Sequence, residues 1–130
     1  MSRSWLLAMV MVFAACSRQP DALGDFKYYR GATMVGTVSF EGEAFGFPRA
    51  RWDQVELRTQ AGYAEVKAFY AKAGPQDWTS TLESEQPRSA GRLYSRYLAD
   101  SRRRTFYVIT IEERQPSRDV AIILRRGVAR

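Results

Sequence analysis

Histidine is absent from the 130 residues, and cysteine occurs once. Without His the chain lacks the commonest general base, the physiological pH switch and the usual nitrogen ligand for metals. A single Cys excludes an intramolecular disulfide framework and any Cys-cluster zinc site. Lysine is scarce too, with 3 Lys against 17 Arg. No G-x-S-x-G or S-x-x-K motif stands in the chain, so no Ser has a sequence-level partner to activate it. Internal repeats and low-complexity tracts are also missing. What is present is 45% hydrophobic and 13% aromatic residues, enough for one small packed domain.

The amino end has the anatomy of an export signal. Arg3 precedes an uninterrupted apolar run from Trp5 to Ala15, 11 residues long. As a helix that run spans about 16 Å, too short for a hydrocarbon core of about 30 Å. A basic start, a short apolar stretch and small residues before a cut site read as a secretory signal. The run ends Phe13-Ala14-Ala15-Cys16, which resembles the bacterial lipobox, with Phe13 where Leu or Val is usual. The resemblance implies cleavage between Ala15 and Cys16, a diacylglycerol on the Cys16 sulfur and acylation of the new amino group. Ser17 follows instead of Asp, which by the same resemblance implies passage to the periplasmic face of the outer membrane. With Cys16 lipidated, the mature chain would carry no free thiol.

Three segments follow: a signal peptide over 1–15, a lipidated Cys and polar tether over 16–25, and one domain over 26–130. The tether reading rests on Pro20 and Gly24 among polar residues. In the domain, strands are expected over Ala32–Phe40 and Trp52–Thr59, with residues 41–48 as a turn-rich connection. Val55, Leu57 and Thr59 alternate with Gln54, Glu56 and Arg58, which is a clean period of two. A helix over Tyr63–Ala73 would put Val66, Phe69, Tyr70 and Ala73 on one apolar face, before Gly74 and Pro75. Four further strands are expected over Trp78–Glu83, Arg92–Leu98, Thr105–Glu112 and Val120–Arg125. The fold expectation is therefore α+β, one amphipathic helix on an antiparallel sheet of five to six strands, in the order β-β-α-β-β-β-β. The pattern Tyr29-Arg30-Gly31-Ala32, then Val66-Lys67-Ala68-Phe69-Tyr70 and Trp78, is similar to small uncharacterised bacterial envelope domains. That likeness implies a fold and no activity.

Charge is divided unevenly. Residues 18–87 hold 8 basic and 10 acidic side chains, net −2, whereas residues 88–130 hold 11 Arg and 4 acids, net +7. Arg102, Arg103 and Arg104 sit at an expected hairpin turn near Tyr94, Tyr97, Phe106 and Tyr107. They are the candidate contact for an anionic partner such as lipid headgroups or lipopolysaccharide phosphates; alternatively they solvate a hairpin tip. Nucleic acid is not expected as a partner of an exported chain without a nucleic-acid motif.

The pairs Glu41/Glu43, Glu83/Glu85 and Glu112/Glu113 are the only basis for a small carboxylate-based hydrolase. Phe45, Phe47 and Trp52 around Pro48 read as core, with a ligand groove as the alternative. The leading functional expectation is a membrane-anchored envelope lipoprotein, not an enzyme and without metal or cofactor, that binds or helps assemble an envelope partner. Docking on anionic lipid or lipopolysaccharide through the Arg-rich half is the second.

Overall fold

The centre of the molecule is built from its carboxy-terminal strands, because those segments are apolar on both sides. In the computed structural model, which describes residues 21–130, Phe106, Tyr107, Val108 and Ile109 are all buried, as are Val120, Ala121, Ile122 and Leu124. Strands buried on both faces belong in a sheet interior. The expected signal peptide, the expected cleavage site at Ala15 and the expected lipidation site Cys16 lie outside the described residues.

The elements are β1 (Ala22–Leu23), β2 (Phe26–Lys27), β3 (Thr33–Ala44), β4 (Phe47–Thr59), α1 (Tyr63–Ala71), β5 (Thr79–Arg88), β6 (Gly91–Ala99), β7 (Thr105–Glu113) and β8 (Val120–Ala129). The six long strands form one antiparallel sheet in the order β3-β4-β8-β7-β6-β5. The α+β expectation therefore holds at the level of one short helix with a six-stranded antiparallel sheet. The expected chain order β-β-α-β-β-β-β is corrected by a hairpin of β1 and β2 ahead of it, a separate two-stranded sheet. Strands of two residues are too short to print a period on the sequence. Within the segment expected as tether, Ala22–Leu23 already belongs to this hairpin, and the Asp25 amide donates to the Tyr107 hydroxyl at 2.9 Å.

After β4 the chain crosses through α1 to the far edge, then meanders back until β8 closes against β4. The helix rests on the face that carries Val55, Leu57, Ile109, Ile111, Ile122 and Leu124. Tyr63, Val66 and Tyr70 are its buried residues. Phe69, expected on that face, is 40% exposed and meets Tyr29 edge-on at 5.4 Å between ring centroids. Ala73 lies past the helix end, since the helix is two residues shorter than its pattern. Arg96 accounts for that stop: its Nη1 donates to the carbonyls of Tyr70 at 2.9 Å and Ala73 at 2.8 Å, satisfying terminal acceptors from a neighbouring strand.

The opposite face carries no helix. Trp52, Gly127, Phe106 and Ala99 lie in one row across β4, β8, β7 and β6. Phe47, Ala50 and Val108 complete this second buried cluster, with Phe40 and Phe45 packed against it. Residues 41–48, expected as a turn, are mostly strand: β3 and β4 are joined only by Phe45 and Gly46, at φ 57° and 77°. Two positive φ values match the right-handed twist of a tight hairpin.

Candidate functional site

Strand register gathers charge that is scattered in the sequence. Arg51 and Thr105 both pair with Val128, one from each side of β8. Beyond them, the Ala129 amide donates to the Arg104 carbonyl at 2.7 Å, and the Arg130 amide donates to the Arg49 carbonyl at 3.2 Å. Arg49, Arg51, Arg102, Arg103, Arg104 and Arg130 thus occupy one end of the sheet, and all six are exposed. Three acids share that end. Glu41 lies 3.9 Å from Arg49 and 3.4 Å from Arg130, while Glu43 is exposed near the hairpin tip.

The third acid, Asp100, is used by the backbone. Its Oδ1 accepts from the amides of Arg104 at 2.7 Å and Thr105 at 3.2 Å. This holds the β6–β7 turn, in which Arg103 takes φ 53°. Among the described residues, Arg51, Arg102, Arg103 and Arg104 enter no ion pair. Val128, 39% exposed, is the apolar residue between them. The expected site residues Arg102, Arg103 and Arg104 are therefore brought together with three arginines that the linear sequence kept apart.

Of the six paired carboxylates, all but Glu43 have partners among the described residues. Glu41 is the partner of Arg49 and Arg130. Glu112 pairs with Arg114 at 3.4 Å, and Glu113 pairs with Arg92 at 3.0 Å. Glu83 and Glu85 face α1 as alternate residues of β5. The Tyr63 hydroxyl donates to Glu85 at 2.7 Å, and the Lys67 ammonium lies 2.7 Å from the same oxygen. The Tyr94 hydroxyl donates to Glu83 at 2.6 Å. Lys67 of α1 is thus turned onto the β5 edge. A cavity of about 300 Å³ opens there between Tyr63, Lys67, Glu85 and Arg92.

The electrostatics of this seam favour a lock over a catalyst. The Lys67 ammonium, then the Tyr63 hydroxyl, holds the Glu85 carboxyl below its ordinary value, and Arg92 does the same for Glu113. Burial, reinforced by the carboxylate acceptors, pushes the phenols of Tyr63 and Tyr94 upward. A general acid needs a raised carboxyl, and Glu85 is shifted the other way.

A carboxyl depressed by folding contributes stability above its unfolded value, about 4.3, and loses it as the pH falls through and below that value. The urea midpoint is therefore expected to fall between pH 6 and pH 3.5, and Glu85→Gln to remove part of that fall. An unchanged midpoint would contradict the pairing.

Of the expected aromatic groove, Phe47 and Trp52 are core, 5% and 0% exposed, while Phe45 and the edge of Phe47 line an open depression with Glu43, Ala44, Gly46 and Pro48. Among the described residues no group of three metal-ligating side chains converges, and no helix is long and apolar enough to cross a membrane. Comparison with known proteins returns no matching family model, no matching curated protein and no matching solved structure.

Proposed function

We propose that the protein is a membrane-anchored bacterial envelope lipoprotein whose domain is a non-enzymatic binding module, docked on anionic phospholipid headgroups through its arginine end. The observation that carries this reading is the gathering of six exposed arginines from three separate segments around Val128. Basic side chains at an anionic surface contribute about 1 kcal/mol each, within a screening length of about 8 Å. Acyl chains contribute ~0.8 kcal/mol per buried CH₂, so a lipid on Cys16 dominates retention. The arginines then decide which surface of the domain meets the headgroups.

Geometry limits the arrangement. From Cys16 to Asp21 the chain reaches at most about 18 Å. Asp21 lines one surface depression with Met34 and Leu57. Leu57 is six residues of strand from Arg51, about 20 Å. Anchor and arginine end meet one surface only if the domain lies along its β3 side instead of standing upright. That side suits the role, since Thr33 to Phe40 carries no charge and leaves Val35 and Val38 about half exposed, at 52% and 53%.

Two measurements test the reading. Radiolabelled palmitate is expected to enter the chain and to be lost in Cys16→Ala; label retained in that variant would remove the anchor. The Cys16→Ala chain is expected to co-sediment with phosphatidylglycerol vesicles and not with phosphatidylcholine vesicles. Binding should weaken steeply as salt rises from about 50 mM to 300 mM. Salt-independent binding would refute the docking mode, and binding to lipopolysaccharide alone would reassign the source of the phosphates.

A further inference from the structure

We infer that Arg125, on the helix-free face, is the anion-binding group of a second site that takes a small organic carboxylate with an apolar body. Gln54, Arg125, Val108 and Tyr97 form one row across β4, β8, β7 and β6. The Arg125 Nε donates to Gln54 Oε1 at 2.8 Å, and its Nη1 donates to Thr110 Oγ1 at 3.2 Å. Both acceptors are neutral, and Arg125 belongs to none of the ion pairs among the described residues. Glu56, in the adjoining row, is taken by Arg58 at 3.0 Å.

A guanidinium has five N–H donors, so three of these have no protein acceptor among the described residues. The side chain is half-buried, and burial pushes its pKa below the usual arginine value. A cation that loses part of its hydration without gaining an opposite charge favours an anionic partner. The face bears no covering element, so its free donors are within reach of a solute.

Phe45 supplies an aromatic wall beside the guanidinium. It holds φ 57° in the tight turn with Gly46, a position where Asn, Asp or Gly is the ordinary choice. Its ring lies 4.7 Å from the Arg125 guanidinium and meets Trp52 edge-on at 5.1 Å. Asn would suit the turn better and supply no ring. Packing on Trp52 holds the ring in place, and that same placement sets it over the Arg125 guanidinium.

The ligand class follows from charge and shape. One guanidinium balances one carboxylate, and its forked donors match the two oxygens. A phosphate dianion would leave a charge unmatched. Phe45 lies beside Arg125, and on the same face Val38 and Tyr97 stand two strands away on either side, giving apolar surface for the rest of the molecule.

The test uses the full chain in phosphatidylcholine nanodiscs, titrated with benzoate and read by broadening of the benzoate resonances, with empty nanodiscs as baseline. Saturable broadening is expected. Arg125→Gln should raise the Kd by about tenfold or more. Arg125→Lys keeps the charge and the fold but loses the fork, and should raise it by about threefold to tenfold. Phe45→Asn should also weaken binding while leaving the turn intact. No saturable broadening above the empty discs would overturn the proposal. So would unchanged affinity in both Arg125→Lys and Phe45→Asn, or displacement of benzoate by an equal concentration of inorganic phosphate. Failure here leaves the arginine-end reading standing, since phosphatidylcholine carries no net charge and its discs are present throughout.

Discussion

Trp52→Ala is expected to destabilise the domain by about 3–5 kcal/mol, read as a lowered urea midpoint by circular dichroism. The side chain is fully buried although no helix covers its face. Aromatic rings enclose it instead: Phe40 stacks at 6.2 Å, Phe47 tilts at 6.1 Å and Phe106 stacks at 6.3 Å. Its indole N–H donates to the Gly42 carbonyl at 3.3 Å. On β8 the indole lies over Gly127, where an added Cβ would stand 2.9 Å from three ring atoms. Removing the ring opens a large cavity that strands cannot close, because their spacing is set by the hydrogen-bond ladder. Gly127→Ala is the opposite error, overpacking, and should cost about 1–3 kcal/mol. Domains of this size have about 5–15 kcal/mol in total, so Trp52→Ala removes a large share. A loss under about 1 kcal/mol would mean that the helix-free cluster is not part of the cooperative core.

The triple reversal Arg102→Glu, Arg103→Glu, Arg104→Glu is expected to weaken vesicle binding of the Cys16→Ala chain by about a hundredfold or more. Three lost cations at about 1 kcal/mol each amount to roughly 3 kcal/mol, and three new anions add repulsion. The turn should survive, because Asp100 holds it through backbone amides and not through those guanidiniums. Arg88→Glu with Arg118→Glu is the comparison. These residues lie at the opposite end of the sheet, beyond β7, whose eight steps span about 26 Å. That is several screening lengths, so binding should change by no more than about threefold. Equal losses in the two variants would mean that net charge, and not the arginine end, governs adsorption.

Much of the strand inventory was legible because burial on one or both sides leaves a direct pattern. Val55, Leu57 and Thr59 alternate as the helix-side face of β4 requires, and the unbroken apolar stretch from Phe106 to Ile109 marks a central strand. The β3–β4 hairpin was less legible. Phe45-Gly46 does not look like a tight turn, and residues 41–48 are rich in turn formers that nonetheless sit in strands. Cross-strand aromatic packing around Trp52 outweighs those local preferences. The helix face was misjudged at Phe69 for a similar reason. Periodicity ranks apolar residues by angle, whereas the segment around Tyr29 supplies Phe69 with a partner outside the main core.

By itself the sequence determined the composition of the core, the helix start at Tyr63, the basic carboxy-terminal half and the lipobox-like Phe13-Ala14-Ala15-Cys16. Each is written in neighbouring residues, where side-chain period, turn chemistry and apolar run length act locally. Only the tertiary structure decided which arginines lie together. Arg51 lies 77 positions from Val128 yet opposite it, and Arg125 lies 71 positions from the Gln54 that orients it. Those proximities arise because β8, the most apolar strand, inserts between β4 and β7 to bury both of its faces. Hydrophobic burial sets that insertion, and the insertion carries the charges to one end.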